Sequence, residues 1–339
     1  MWRALTSRGT DFSRVAWSCE GLLQKLQARA QRKQRTLVVC RTTWDYCDSP
    51  STLERFLALV ADLDALPNCD LLNSATMLKW NTHKRYLGQL PEAGVNIIPT
   101  CILEPGADSP ATVASLATQL TAPDGLVVKP AVSNSACGVF LLEDWEDTKT
   151  ASLMDAYLSA ACSGTTSAAV PQGVGPGQWS GEAEVLLAQP FQAGIREWGE
   201  LSVMVLGGVV THAVVKRPPP GGAGGPQEFK VQEEYGGREQ LVHLPQETAA
   251  LAQRVVAISA ALARGATPAD VVAGTSAAGA VPPVAIARVD FVRRGGGLSP
   301  DNLALMEVEC VEPSLFFKYA PEAADVLAEY LIARLHGGE

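Results

Sequence analysis

Two stretches near the C-terminal end, 284–292 (VAIARVDFV) and 302–310 (NLALMEVEC), open on apolar runs and then alternate apolar and charged residues over 287–291 and 306–310. Successive side chains on a strand point to opposite faces, so both stretches predict strands. Arg288 and Asp290 then share one face, with Ala287, Val289 and Phe291 on the other. Glu307 and Glu309 likewise stand opposite Met306, Val308 and Cys310. A Gly-rich turn at 294–297 joins the two strands into a pair. Three carboxylates and one guanidinium would thus line one side of a sheet whose other side is apolar. Burying so many like charges without a partner costs several kcal/mol. Either this is the solvated outer face of an edge hairpin, or the carboxylates hold a divalent cation. Mg²⁺ is held by a few carboxylates and substrate phosphates.

The same patterning predicts the remaining elements. Residues 36–40 (TLVVC) read as a strand, and a helix follows from Ser51, capped by its hydroxyl with Glu54 three residues on. A second helix runs from Leu78 through Lys84 and Leu87 to near Gly94, and 96–100 (NIIPT) reads as a strand. Ser109-Pro110 opens another helix, and 125–130 (GLVVKP) pairs with 139–142 across the small-residue loop 131–138. Small residues there let backbone N–H groups approach an anion. Residues 185–191 (VLLAQPF) form an apolar strand, and 199–206 and 209–217 form a hairpin around Gly207-Gly208. That hairpin puts Glu200 and Ser202 on one face, and His212, Val214 and Lys216 on one face of its partner. Helices are expected over 247–265 and from about Pro321 to His336. Two low-complexity stretches, 162–184 and 266–283, read as insertions without regular structure.

Composition narrows the function. With 339 residues, 47% of them hydrophobic, the chain can bury a large core and is expected to form two or three domains. A net charge of −9 argues against a nucleic-acid or anionic-membrane surface. No apolar run reaches the roughly 20 residues needed to span a bilayer. The 8 cysteines show no C-x-x-C pair and read as reduced, mostly buried thiols of an intracellular protein. The first 36 residues carry six Arg and two Lys against only Asp11 and Glu20. That bias fits a basic amphipathic helix around Leu22, Leu23 and Leu26, or an organellar transit peptide. The protein is accordingly expected in the cytoplasm, with an organellar stroma as the alternative.

A set of motifs in order then resembles one family. Arg288-Val289-Asp290 and the run E-V-E-C-V-E-P at 307–313 are similar to the R-x-D strand and the E-I-N-x-x-x-P signature of ATP-grasp ligases. Upstream stand R-T-T-W-D-Y at 41–46, K-W-N-T-H-K-R-Y-L at 79–87, V-V-K-P at 127–130, Q-P-F at 189–191, G-E-L-S at 199–202 and H-A-V-V-K at 212–216. The chain resembles glutathione-synthetase-like ATP-grasp proteins from about Thr36 to Phe317, nearest to the O-ureido-serine cyclo-ligase type of cycloserine biosynthesis.

The resemblance implies an α/β (α+β) ATP-grasp fold: two subdomains gripping ATP, here about 99–184 and 185–339, after a shortened Rossmann-like pre-ATP-grasp domain over 1–98. It implies that Lys84, Lys129, Ser133, Ser135 and Gly138 surround the nucleotide phosphates. Gln189 and Phe191 would flank the adenine, Glu200 the ribose, and Lys216 the phosphates or the acyl group. Asp290, Glu307 and Glu309 would hold Mg²⁺ or Mn²⁺, and Arg288 would donate to the oxyanion at the acyl centre. The chain departs from the pattern in three places. Glu309 stands where many members have Asn, Lys230 stands where relatives have Arg, and the opening βα unit is replaced by the basic N-terminal segment.

The activity so implied is ATP- and Mg²⁺-dependent ligation of a carboxylate to an amine, or cyclisation within one amino-acid-like molecule, through an acyl phosphate. An ATP-grasp kinase and a catalytically inactive nucleotide-binding protein are the alternatives. The expected partners are ATP and a small carboxylate or amine, with a homodimer allowed and neither nucleic acid nor membrane.

Overall fold

Three sheets, each built from one stretch of the chain, carry the architecture. In a computed structural model, residues 1–105, 112–144, 146–163, 185–219, 229–275 and 284–337 are described. The N-terminal unit contains α1 (Trp2–Ser7), α2 (Leu22–Gln31), β1 (Thr36–Val39), α3 (Pro50–Asp64), β2 (Cys69–Leu72) and α4 (Ala75–Asn81). β1 and β2 are parallel and joined through α3, as parallel pairing requires. Val38 and Leu71 face Phe56 and Val60 of α3, while Leu37, Val39 and Leu72 face the rest of the molecule. α3 begins before Ser51. Ser49 is its cap, accepting from the Thr52 N–H at 3.2 Å while Thr52 Oγ1 accepts from the Ser49 N–H at 2.8 Å. Pro50 can follow because the first turn has no use for its missing N–H.

The middle unit holds β3 (Cys101–Leu103), α5 (Val113–Leu120), β4 (Leu126–Pro130), β5 (Phe140–Leu142), α6 (Thr148–Ser163) and β6 (Leu186–Pro190). Its strands form an antiparallel sheet in the order β3-β6-β4-β5. β6 thus pairs with β3 and β4, although the sequence division at 185 had set it in the following subdomain. Leu126, Val128, Leu186 and Ala188 pack on Leu116 of α5 and Leu158 of α6. The opposite face of this sheet presents Val127, Lys129 and Gln189 to a cleft. Most of the insertion expected at 162–184 lies outside the described residues, and Cys162 and Ser163 end α6.

The last unit contains α7 (Gly194–Glu197), β7 (Glu200–Leu206), β8 (Val209–Arg217), β9 (Arg238–Val242), α8 (Gln246–Ala263), α9 (Pro268–Ala273), β10 (Ile286–Arg293), β11 (Leu303–Glu309) and α10 (Ala323–Leu335). Five antiparallel strands run in the order β11-β10-β7-β8-β9. β10 is therefore interior, and Arg288 and Asp290 on it are buried, which overturns the reading of a solvated outer face. α9 also corrects the expectation of an irregular 266–283: Thr267 caps it, accepting from the Asp270 N–H at 3.2 Å, with Pro268 in the first turn. Residues 276–283 lie outside the described set.

One face of the five-stranded sheet is apolar at its centre, with Leu201, Val203, Val215 and Val289 against Ala252 and Val255 of α8. The other face is divided. Met204, Leu206, Val214 and Ile286 pack on Leu327 and Leu331 of α10, while Glu200, Ser202, Lys216, Arg288 and Asp290 occupy its far end. α10 also receives α1, where Arg8 binds Asp325 at 2.6 Å and Glu329 at 2.8 Å. The basic N-terminal residues are thereby docked on an acidic helix.

β11 is an edge, and an open edge invites pairing with another chain. Here side chains close it. The Tyr86 hydroxyl donates to Val308 O at 2.9 Å and accepts from Val308 N at 3.0 Å. Asn81 Nδ2 donates to Val308 O at 2.8 Å, and its Oδ1 accepts from Cys310 N at 2.6 Å. Asn73 does the same at the strand ends, donating to Ile286 O and Cys310 O and accepting from Ala285 N and Ile286 N. Residues 96–100 form no strand of their own, since Leu305 N donates to Asn96 O and Ile98 N to Leu305 O. The K-W-N-x-x-K-x-Y-L run is thus largely an edge-sealing device. Of the described cysteines only Cys310 is buried, Cys19 is exposed and the others are half-buried, so the thiols are less enclosed than expected.

Candidate active site

A cleft of about 870 Å³ separates the four-stranded from the five-stranded sheet, with the N-terminal unit at one end. Lys84, Lys129, Ser133, Ser135, Gln189, Phe191, Glu200, Lys216, Arg288, Glu307 and Glu309, the residues expected from the sequence, all line it. Two others do not. Asp290 is fully buried beneath the floor, and Gly138 supports the loop from behind.

The carboxylate floor comes from the β10–β11 register. Arg288 lies opposite Glu309 and Asp290 opposite Glu307, but the next pair is Phe291 with Leu305. Met306 is therefore an extra residue, a β-bulge. Its side chain joins Ile98, Val292 and Ala304 on the cleft side, contrary to the regular alternation that set it opposite Glu307. The bulge places a hydrophobic residue beside the acids. Asp290, Glu307 and Glu309 each offer an oxygen within 4.8 Å of one another. Such an all-oxygen set suits a hard divalent cation such as Mg²⁺, and these residues fit one.

The same acids are already cross-linked by cations. Arg288 Nε donates to both Asp290 oxygens at 3.0 Å, and its Nη2 donates to Asp290 Oδ2 at 2.8 Å and Glu309 Oε1 at 2.5 Å. Ser202 Oγ donates to Asp290 Oδ1 at 2.5 Å. Lys216 forms an ion pair with Glu200 directly across the β7–β8 register, 4.0 Å from Asp290. Burial works to raise the Asp290 pKa, but Arg288 and Lys216 override it and hold the carboxyl below its usual range. Burial wins at Glu200, lifting it to about 7 despite Lys216. Glu309 is also raised, by burial first and then by Glu307, against the pull of Arg288.

The opposite wall is cationic and largely free of acids. Lys129 is only 6% exposed, and among the described residues no carboxylate lies within ion-pair distance of it. Burial lowers its pKa, opposed by the more distant Glu307. Lys84 does not sit on a long helix, as its periodicity predicts. α4 ends at Asn81, His83 is extended, and residues 84–88 make a short 3-10 turn. The turn fixes Lys84 to the small-residue loop: its N–H donates to Ala131 O at 2.8 Å and its Nζ to Ser133 O at 2.6 Å. In that loop Ser135 and Ala136 take positive φ of 46° and 53°, a conformation that orients successive backbone N–H groups together. Gly138 has φ of +69°, and a Cβ there would stand 2.7 Å from Pro130 Cγ. Only glycine lets the loop fold back on β4.

At the opposite end Phe191 meets Phe229 edge-on with centroids 6.1 Å apart, and the Arg196 guanidinium lies 4.7 Å above the Phe191 ring. The Gln189 amide donates to Thr100 Oγ1 at 2.9 Å, so its side chain braces β6 against the segment before β3. Lys230 stacks on Tyr235 at 4.4 Å.

Glu312, Arg41 and Trp44 stand outside the site residues that the resemblance implied. Arg41 Nη1 donates to Pro313 O at 3.1 Å and the Trp44 indole to Glu312 O at 3.2 Å, gripping the turn after β11. Burial lifts Glu312 to about 8, with Glu309 adding to the rise. The quoted R-T-T-W-D-Y and E-P runs were the available signal.

Two sheets closing on a cleft, one bearing lysines and a small-residue loop and the other bearing carboxylates, form an ATP-grasp fold, and this chain has that fold. It is 25% identical over 302 residues to the cycloserine biosynthesis protein DcsG of Streptomyces lavendulae, covering 88% of this chain and 83% of that protein. The crystal structure of D-cycloserine synthetase DcsG superposes with a TM-score of 0.69 at 22% identity, over 98% of this chain and 92% of that one. D-alanine–D-alanine ligase from Bacillus anthracis superposes with a TM-score of 0.57 at 14% identity, covering 99% of this chain and 90% of that chain. No family model matches the sequence.

Proposed function

We propose that the protein is an ATP- and Mg²⁺-dependent ligase that activates a carboxylate as an acyl phosphate and joins it to an amine. The observation that carries this reading is the meeting of Glu307 and Glu309, with Asp290 directly beneath them, and Arg288, Lys216, Lys129 and Lys84 around one cleft. The relation to cycloserine biosynthesis protein DcsG and D-alanine–D-alanine ligase supports the same class and favours a small amino-acid-like substrate.

Phosphoryl transfer asks mainly for positioning and neutralisation of charge. Lys129 and Lys84 hold phosphate oxygens, and the loop from Ser133 to Gly138 covers them with backbone N–H groups. Phe191 and the backbone after β6 frame the adenine, and Glu200 with Lys216 stands toward the ribose and phosphates. Asp290, Glu307 and Glu309 would hold Mg²⁺, or Mn²⁺, which supplies charge neutralisation between the phosphates. A substrate carboxylate oxygen attacks the γ-phosphorus and ADP leaves. The amine nitrogen then attacks the acyl carbon, orthophosphate departs and the nitrogen loses a proton. Arg288, with Nη2 and Nε committed to Asp290 and Glu309, turns its remaining edge to the oxyanion at that carbon.

The test is trapping with hydroxylamine. With Mg-ATP and a panel of small carboxylic and amino acids, a ligase yields a hydroxamate, ADP and orthophosphate together. A kinase yields ADP and a phosphorylated product without orthophosphate, and that result would remove the ligase reading.

A further inference from the structure

Glu312 is an acid outside the carboxylate floor whose side chain has no hydrogen-bond or ion-pair partner among the described residues. It is 8% exposed, lines the cleft, and among the described residues its Oε2 is buried with no hydrogen-bond partner. It stands outside the Asp290, Glu307 and Glu309 group. Lys84, Arg41 and Arg288 are near enough to act on it electrostatically, yet none reaches its oxygens at hydrogen-bond or ion-pair distance. Lys84 holds Ser133 O, Arg41 holds Pro313 O, and Arg288 holds Asp290 and Glu309. A buried carboxyl left without a partner is costly, and such a cost persists at a site that a ligand completes.

The backbone around Glu312 is pinned rather than slack. Arg41 and Trp44 reach from the N-terminal unit to the carbonyls of Pro313 and Glu312. The side chain is therefore aimed by two contacts that leave its own oxygens open. A ligand group that satisfies it must donate hydrogen bonds, and Glu309 close by favours a donor that also carries positive charge and displaces the proton that burial keeps on Glu312. A primary ammonium has three donors and that charge.

Resting on the ligase reading, we propose that Glu312 is the ammonium-binding residue of the substrate site, so that the substrate is a small amino acid. Its ammonium group docks on Glu312 while its carboxylate reaches the Arg288 and Glu309 side of the cleft. Arg41 and Trp44 are positioning residues for this contact. Glu309 and Glu312 are three residues apart around one turn, so a single small molecule can touch both neighbourhoods.

The experiment uses the full chain loaded with Mg²⁺ and the non-hydrolysable analogue AMP-PNP, followed by thermal unfolding. Probes are glycine, D- and L-alanine and D- and L-serine, against acetate, propionate and lactate, which lack the ammonium group. The expected result is a further rise in midpoint with at least one amino acid and none with its ammonium-free counterpart. Glu312→Gln should keep the Mg-nucleotide shift but require about tenfold or more amino acid for the same rise. Glu312→Asp, which retains the charge, should recover part of the response. Unliganded midpoints near that of the wild type establish that both variants fold. A wild type that answers acids and amino acids equally, or answers neither while binding Mg-nucleotide, overturns the ammonium site and leaves the ligase reading standing. A Glu312→Gln variant with an undiminished response overturns it as well. Absence of any Mg-nucleotide shift removes the ligase reading, and the ammonium site falls with it.

Discussion

The two walls of the cleft solve opposite electrostatic problems. The five-stranded sheet contributes acids that are neutralised in advance, with Arg288 spanning Asp290 and Glu309 and Lys216 paired to Glu200. The four-stranded sheet contributes Lys129, buried with no carboxylate at ion-pair distance among the described residues and its pKa lowered by that burial. The acids are thus part of what holds the fold, whereas the lysine is a charge held in readiness for an anion. The contrast separates residues that stability requires from residues that binding requires.

The sharpest way to break this contrast is Arg288→Ala. It leaves Asp290 buried without its main partner, and removing one member of a buried pair costs about 3–5 kcal/mol. Urea unfolding should show that loss with no ligand present. Lys129→Met should do the reverse. It removes an unpaired buried charge, so the unliganded protein keeps or gains stability, while ATP affinity falls by about 1.5–3 kcal/mol, roughly ten- to hundredfold, in calorimetric titration. Equal destabilisation by the two substitutions would erase the distinction.

Tyr86→Phe probes the edge device and leaves both walls intact. It strips the hydroxyl that serves Val308 N and Val308 O, at an expected cost of about 1–3 kcal/mol in unfolding free energy. ATP affinity should change little. Tyr86 also lines the cleft, so a large loss of ATP binding at unchanged stability would give its hydroxyl a role in binding.

The smallest effect is a pH slope. Burial, with Glu309 adding to it, lifts Glu312 from 4.5 to about 8, so in that window the folded protein holds a proton that the unfolded chain has lost. Stability from this group is full below the unfolded value and declines as pH rises toward the folded one. The urea midpoint of ligand-free protein should therefore fall across that range, and less steeply in Glu312→Gln. An identical slope in the variant would show that Glu312 is not held protonated.

The motif-bearing side chains were legible because strand alternation and short local runs are enough to assign a face. Arg288, Asp290, Glu307 and Glu309 fell on one side as the period of two required. The bulge at Met306 was invisible, since 306–310 alternates regularly, 303–306 is apolar throughout, and only the partner strand reveals the extra residue. The setting of Lys84 was misread for a related reason. Helical spacing continues through His83, but the backbone turns there to meet Ala131, a partner far along the chain. Asn81 and Tyr86 stood in the sequence only as members of a motif with no role of their own, and their partners are the backbone of a strand more than 200 positions away. Local pattern carries no trace of such a contact.

The most direct test of the central claim is calorimetric titration of ATP with and without Mg²⁺, on the wild type and on Glu307→Gln. Glu307 lines the cleft and forms no ion pair among the described residues, so its removal spares the fold. The account predicts Mg²⁺-dependent binding in the wild type, a matching stabilisation of about 2.7 kcal/mol at a hundredfold excess over Kd, and loss of the Mg²⁺-dependent part in the variant. ATP binding that ignores both Mg²⁺ and Glu307, or no binding to a well-folded wild type, would contradict it.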